Sequence, residues 1–176
     1  HQHGGLSWAG LLLVMSPVIL GLIVPPRPLG ATAMGNRDVS FKALPSTAAA
    51  GSDNILSKPQ SEKNILDWLV EFQSSTDLAA FEGQKATVTG FVYRDDRFDD
   101  DSFMVSRFVL SCCAADAAPI GLVVRSPESS QFSDDNWVEV SGHFVLGQFD
   151  GAEISFLVAD SIEPVDIPEQ PYLYPY

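Results

Sequence analysis

Apolar positions along this chain fall into three regimes. From Leu6 to Val24, LSWAGLLLVMSPVILGLIV, nineteen residues run without a charge, about the length a helix needs to cross the ~30 Å hydrocarbon layer of a bilayer. Trp8 stands near one end, where an amphipathic ring favours the interface, and Pro25, Pro26 and Pro28 stop the helix at the other. Pro17 predicts a kink of the kind membrane helices tolerate. Residues 1–30 are therefore read as a transmembrane helix with its flanks. A secretory signal would carry a basic n-region and a shorter apolar core, whereas no Lys or Arg precedes Arg27. The opening on His1 rather than Met reads as the tail of a longer polypeptide, with further spans upstream.

The second regime, residues 31–60, is rich in Ala, Ser, Gly and Pro and lacks apolar periodicity, which predicts a flexible tether. The third, residues 61–176, alternates like a folded domain. Ile65, Leu66, Trp68, Leu69 and Phe72 recur at three- and four-residue spacing, predicting an amphipathic helix that starts near Ser61 as cap with Glu62 at the positive end of its dipole. A further helical turn is expected around Asp77–Phe81, before Gly83. Five β-branched segments follow: KATVTGFVYR, FMVSRFVLSC, PIGLVVRS, NWVEVSGHFVLGQF and AEISFLVADSIEPV. The fold class is mainly β. Five strands with a short turn, ESSQF, between the third and fourth match an OB-fold-like barrel with a preceding amphipathic helix, an SH3-like barrel being the structural alternative. Gly90 and Gly142 fall inside strands, where a barrel bends or bulges.

Composition narrows the functions. Acidic residues outnumber basic ones 23 to 10, and the net charge is −13, a field that repels phosphate backbones and argues against a nucleic-acid partner. The chain contains no GxSxG, HExxH, P-loop or strand-following GxGxxG, and three histidines leave little for acid–base work. A non-enzymatic protein is expected.

The candidate chemistry lies in RFVLSCCAADAAP, residues 107–119, where adjacent cysteines and a carboxylate stand at the end of a strand. Neighbouring strand residues face opposite ways, so Cys112 and Cys113 need a special explanation. Three readings stand. With Asp116 the two thiolates suit a borderline or soft cation such as Zn²⁺ or Cu(I), although structural zinc takes four ligands. Adjacent cysteines also form a labile vicinal disulfide. Free cysteines, finally, serve as small buried apolar residues. Weaker candidates are His143, within a strand, and Asp95, Asp96 and Asp99 of the acidic loop RDDRFDDDS, which lacks EF-hand spacing and reads as a solvated hairpin tip. His1 and His3 fit the end of a His-rich metal-binding tract or an incidental pair.

The order PPRPLGA, DWL, VTGFVYR, RFVLSCCAADAAPIGLVV and WVEVSGHF resembles the bacterial YcgQ-type membrane proteins, a permease-subunit family. The match covers nearly the whole chain, and RFVLSCCAADA is its specific part. The resemblance implies several membrane helices before an OB-like domain, a His-containing loop before the last helix, and an integral-membrane permease of the YraQ type as partner. It also implies a domain outside the cytoplasm, against the positive-inside reading of Arg27, Arg37 and Lys42. This chain looks like that last helix and domain, without the earlier helices and most of the His-rich loop. The expected function is an accessory permease subunit binding a metal ion or thiol-reactive cargo through Cys112, Cys113 and Asp116. The alternative is an interaction module whose cysteines are buried. No cofactor is demanded by any motif; zinc or another thiophilic metal is the one the cysteines would take.

Overall fold

The computed structural model describes residues 8–24, 27–35 and 58–175. Helix α1, Trp8–Ile23, has 16 residues, Pro17 inside it, and no buried side chain. At 1.5 Å per residue it is roughly 24 Å long, and no helix among the described residues is long and apolar enough to cross a membrane. The span expected over Leu6–Val24 is corrected to this shorter helix: Leu6 and Ser7 lie outside the described residues, and Val24 leaves the helix because the residue before a proline is driven from the α region.

The next stretch, expected to open a tether, instead begins with a docked segment. Ala31–Met34 form a one-turn helix, α2, with Met34 fully buried. The Leu29 N–H donates to the Tyr172 hydroxyl at 3.0 Å, and the Ala31 N–H donates to the Asp135 carboxylate at 2.5 Å. A Cβ on Gly30 would stand 2.1 Å from Asp135 Oδ1, so a side chain there would have to displace the carboxylate that holds the Ala31 N–H.

Helix α3 spans Ile65–Ser74. It begins three residues beyond Glu62, because Asn64 and not Ser61 provides the cap. The Asn64 side chain accepts the Asp67 N–H at 3.1 Å and the Asp67 carboxylate accepts the Asn64 N–H at 2.9 Å, a reciprocal pair that satisfies two otherwise orphaned donors. Gln60–Glu62 form a separate 3-10 turn. Asp67 is fully buried, and Lys58 meets its carboxylate at 3.1 Å. The turn expected before Gly83 is present as the 3-10 helix Leu78–Phe81, its Ala79 N–H held by the Asp77 carboxylate at 2.9 Å.

Six strands follow: β1 Lys85–Tyr93, β2 Ser102–Val109, β3 Ala118–Arg125, β4 Trp137–Phe149, β5 Ala152–Pro164 and β6 Tyr172–Leu173. The first five pair in a circuit, β1–β4–β5–β3–β2, and β1 pairs with β2 as well. All these pairings are antiparallel except β3 with β5. The sixth strand, absent from the sequence reading, runs parallel to β2 at Phe108 and Val109. Between these positions and the β1 pairing stands Arg107, largely buried, its guanidinium donating to the carbonyls of Pro171 (3.0 Å), Thr89 (3.3 Å) and Gln170. Burial pulls its pKa down to about 10, and the group lies over the Trp137 ring, 5.2 Å from its centre.

The main core lies between α3 and the strands. Trp68 packs edge-on against Phe144 at 4.9 Å, and Phe103, Val105, Val124 and Leu157 fill the same cluster. A second cluster gathers Ala31, Met34, Phe91, Met104, Phe108, Leu110, Ala117 and Trp137, with Leu29 and Tyr172 packed on it. The β4–β5 register shifts at Ser141/Gly142, where a Cβ on Gly142 would meet the Val158 carbonyl oxygen at 2.1 Å. Because that obstacle is backbone, Gly142→Val is expected to lower the unfolding free energy by roughly 1–3 kcal/mol or more, measured as a lower denaturant midpoint at unchanged m-value. An unshifted midpoint would show that the bulge tolerates a side chain.

Candidate functional site

The loop from Leu110 to Ala117 joins β2 to β3, and its two ends are buried while its crown is exposed. All eight residues of β2 are buried. Pairing continues one residue further, where the Leu110 N–H donates to the Leu173 carbonyl at 2.9 Å. The chain then turns outward. Cys113 stands in extended conformation before a 3-10 turn, Ala114–Asp116, and that turn brings Asp116 back beneath the start of the loop. Its carboxylate accepts the N–H groups of Ser111 at 3.2 Å and Cys112 at 2.8 Å. The acid side chain thus replaces the strand partner that the backbone has just lost.

This geometry places both sulfurs on one side. They lie 3.8 Å apart as free, exposed thiols, and a carboxylate oxygen of Asp116 completes a set of ligand atoms all within 4.8 Å of one another. The expectation of buried, space-filling cysteines is corrected. The strand ends at Val109, so the alternation that would send neighbours to opposite faces no longer applies.

Charge tunes Cys112. Hydrogen bonding to the Asp116 carboxylate, helped by Cys113, pushes the Cys112 pKa up to about 11. Asp116 moves the other way, below the usual carboxylate range, chiefly through the Cys112 hydrogen bond and then through the backbone N–H groups. Near neutral pH the site therefore holds a protonated Cys112 beside an ionised carboxylate. A thiophilic cation arriving there displaces a proton and finds two sulfur donors and one oxygen donor.

The weaker candidates do not join this group. His143 sits half-exposed on β4, its Nδ1 3.4 Å from the Asp160 carboxylate. Asp95 is held by Arg97 and accepts a hydrogen bond from the Tyr93 hydroxyl at 3.1 Å. Burial alone would raise the Asp95 pKa, but the Arg97 hydrogen bonds outweigh it and lower the value. Asp96 is exposed in the turn, and the Asp99 carbonyl accepts the Ser102 N–H at 3.0 Å. Among the described residues only Cys112, Cys113 and Asp116 gather as metal-ligating groups; His1 and His3 lie outside them. The N–H groups of Ser111 and Cys112 that fasten Asp116 carry no sequence motif of their own, although a carboxylate four residues after Cys112 fits a locally closed loop.

The molecule is thus a mainly β domain with a preceding helix that presents a thiol pair on the β2–β3 loop. The model of the DUF1980 C-terminal domain matches residues 52–175, and the chain belongs to that family. It is similar to the UPF0703 protein YcgQ of Bacillus subtilis (strain 168), with 19% identity over 191 aligned positions that cover 93% of this chain and 67% of that protein. It is also similar to a protein of Streptococcus mutans serotype c named "Putative two-component membrane permease complex subunit", with 21% identity over 167 positions, 77% of this chain and 61% of that protein. The YcgQ-type resemblance of the sequence therefore holds, and the chain spans about two thirds of these relatives' length. Among solved structures, the N-terminal domain of PriB from Thermoanaerobacter tencongensis aligns at a TM-score of 0.31 with 13% identity, over 47% of this chain and 96% of that one. At that score the likeness says nothing of fold or function.

The electrostatics give a pH dependence. In Cys113→Ser, alkylation of Cys112 by iodoacetamide should keep accelerating well beyond pH 9, because a thiol held near pKa 11 by a carboxylate is still mostly protonated there. Adding Asp116→Asn removes the negative charge, so the rate profile should move to lower pH. A profile unmoved by Asp116→Asn would remove the carboxylate as the cause.

Proposed function

We propose that this chain is a non-enzymatic accessory subunit of a membrane permease, in which an OB-like barrel domain carries a thiophilic cation or thiol-reactive cargo on Cys112, Cys113 and Asp116. The observation that carries the reading is the meeting of two free, exposed sulfurs and a carboxylate on a loop with buried ends. The strand circuit supports the barrel, since a sheet whose first and last members pair leaves few open edges. Membrane attachment is supported by α1, which is apolar on every side and buries none of its side chains among the described residues; such a helix is stable only when other apolar matter surrounds it. The subunit role and the permease partner are supported by the name of the Streptococcus relative, and the YraQ type of that partner by the family resemblance. The names of these two relatives specify no reaction.

Zinc is the probe that fits the donor set. Two thiolates and one carboxylate leave a tetrahedral ion one position short, and the open position allows the ion to leave. Each proton displaced on binding makes the affinity climb by roughly tenfold per pH unit below the thiol pKa. Titration of the full chain with Zn²⁺ is expected to give one ion per chain, with loss of binding in Cys112→Ser and in Cys113→Ser; unchanged stoichiometry in both would remove the cation site. Separately, affinity capture from native membranes is expected to recover an integral-membrane permease with the wild type and with the double Ser variant alike. Failure to recover one would remove the subunit role.

A further inference from the structure

The thiol loop and the segment that leaves the apolar helix are two parts of one packed unit. Leu110 and Ala117, the buried ends of the loop, share the second hydrophobic cluster with Ala31 and Met34, and Leu29 packs against the same cluster. Strand β6 fastens both. The Tyr172 hydroxyl accepts the Leu29 N–H at 3.0 Å, and the carbonyl of the adjacent Leu173 accepts the Leu110 N–H at 2.9 Å. Asp135 adds a second hold, on the Ala31 N–H. Between Val24, at the end of α1, and Leu29 there are five chain steps, which reach at most about 18 Å when fully extended. Among the described residues the main cluster, on the α3 side and containing Trp68 and Phe81, includes no residue from Leu29 to Met34.

We infer that the side of the domain carrying the Leu110–Ala117 loop is the face held against the membrane and its embedded permease, clamped there by the docked Leu29–Met34 segment. This rests on the membrane attachment proposed above and adds an orientation to it. The consequence for the site is specific. A cation on Cys112, Cys113 and Asp116 is held where a donor from the membrane partner can occupy its open position, so transfer proceeds by ligand exchange: one partner–cation bond forms as one thiolate–cation bond breaks, and the freed thiolate takes up a proton. A domain on a free tether would present the thiols in all directions. The docked segment instead keeps the loop side of the domain within reach of the end of α1.

The test uses the full chain in phosphatidylcholine vesicles doped with a lipid whose headgroup carries a nitroxide quencher. The chain has two cysteines, so Cys113→Ser leaves Cys112 as the only attachment point for a thiol-linked fluorophore. The reference label sits at Thr76→Cys in the Cys112→Ser, Cys113→Ser background; Thr76 is exposed between α3 and the Leu78–Phe81 turn. Quenching at Cys112 is expected to exceed quenching at position 76. The excess should shrink when Asp135→Gly and Tyr172→Phe remove the two polar holds, the glycine being suited to the positive φ of 66° at position 135. Equal quenching, or stronger quenching at position 76, overturns the orientation while leaving membrane attachment intact. Absence of quenching at both positions overturns the orientation together with the attachment. If the clamp variant fails to fold by circular dichroism, the comparison between the two labels in the otherwise intact chain still decides.

Discussion

Strand β2 is buried along its whole length, and from that burial follows most of the architecture around it. Every backbone N–H and C=O in such a strand must find a partner within the protein, since water cannot reach it and an unmet group costs on the order of 1–3 kcal/mol. One edge of β2 is served throughout by β3. On the other edge β1 pairs only with Met104 to Ser106, after which its path diverges. The remaining groups at Phe108 and Val109 are taken by β6, a strand of two residues brought in from the far end of the chain. At the changeover stands Arg107, whose guanidinium donates to a carbonyl of β1 and to two carbonyls just before β6. A buried cation is costly, as its lowered pKa shows, but here its donors meet carbonyl oxygens and its face lies over Trp137.

Where strand pairing ceases, exposed chemistry begins. Beyond Leu110 no sheet partner remains, and Asp116 accepts the next two N–H groups with its side chain. The same carboxylate that finishes the backbone also becomes the third donor beside the two sulfurs. Structure and site are therefore inseparable at this residue. The loop's conformation depends on Asp116 ionised, and Asp116 stays ionised because the loop donates to it.

How much of this was legible in the sequence depended on the range of the interactions. The five long strands were readable because β-branched residues recur along them, and the mainly β class expected is what the six-stranded sheet shows. The start of α3 was misplaced because two signals competed, and the reciprocal Asn64–Asp67 pair defeated the lone Ser61. Strand β6 could not be read from QPYLYPY: two residues flanked by prolines carry no periodicity, and the carbonyls of Gln170 and Pro171 just before it are held by Arg107, 63 and 64 positions earlier. The docking of Leu29–Met34 was equally hidden, since its partners Asp135 and Tyr172 lie 104 and 143 positions away. For the cysteines, the sequence located the group correctly but left burial undecided, because free cysteine is commonly buried and only the end of pairing at Leu110 brings it out.

The charge arrangement around the thiols also distinguishes among what can react with them. Oxidants and alkylating agents attack the thiolate, and a carboxylate hydrogen-bonded to Cys112 suppresses that form at neutral pH. For a cation the sign reverses. A carboxylate attracts a cation, and a thiolate formed as a proton leaves attracts it further, so the feature that quiets Cys112 toward electrophiles would contribute to cation binding. Exposure alone would have favoured both kinds of partner equally. With the carboxylate in place Cys112 is less reactive toward oxidants while the oxygen that restrains it stands beside the sulfurs as a further cation ligand atom.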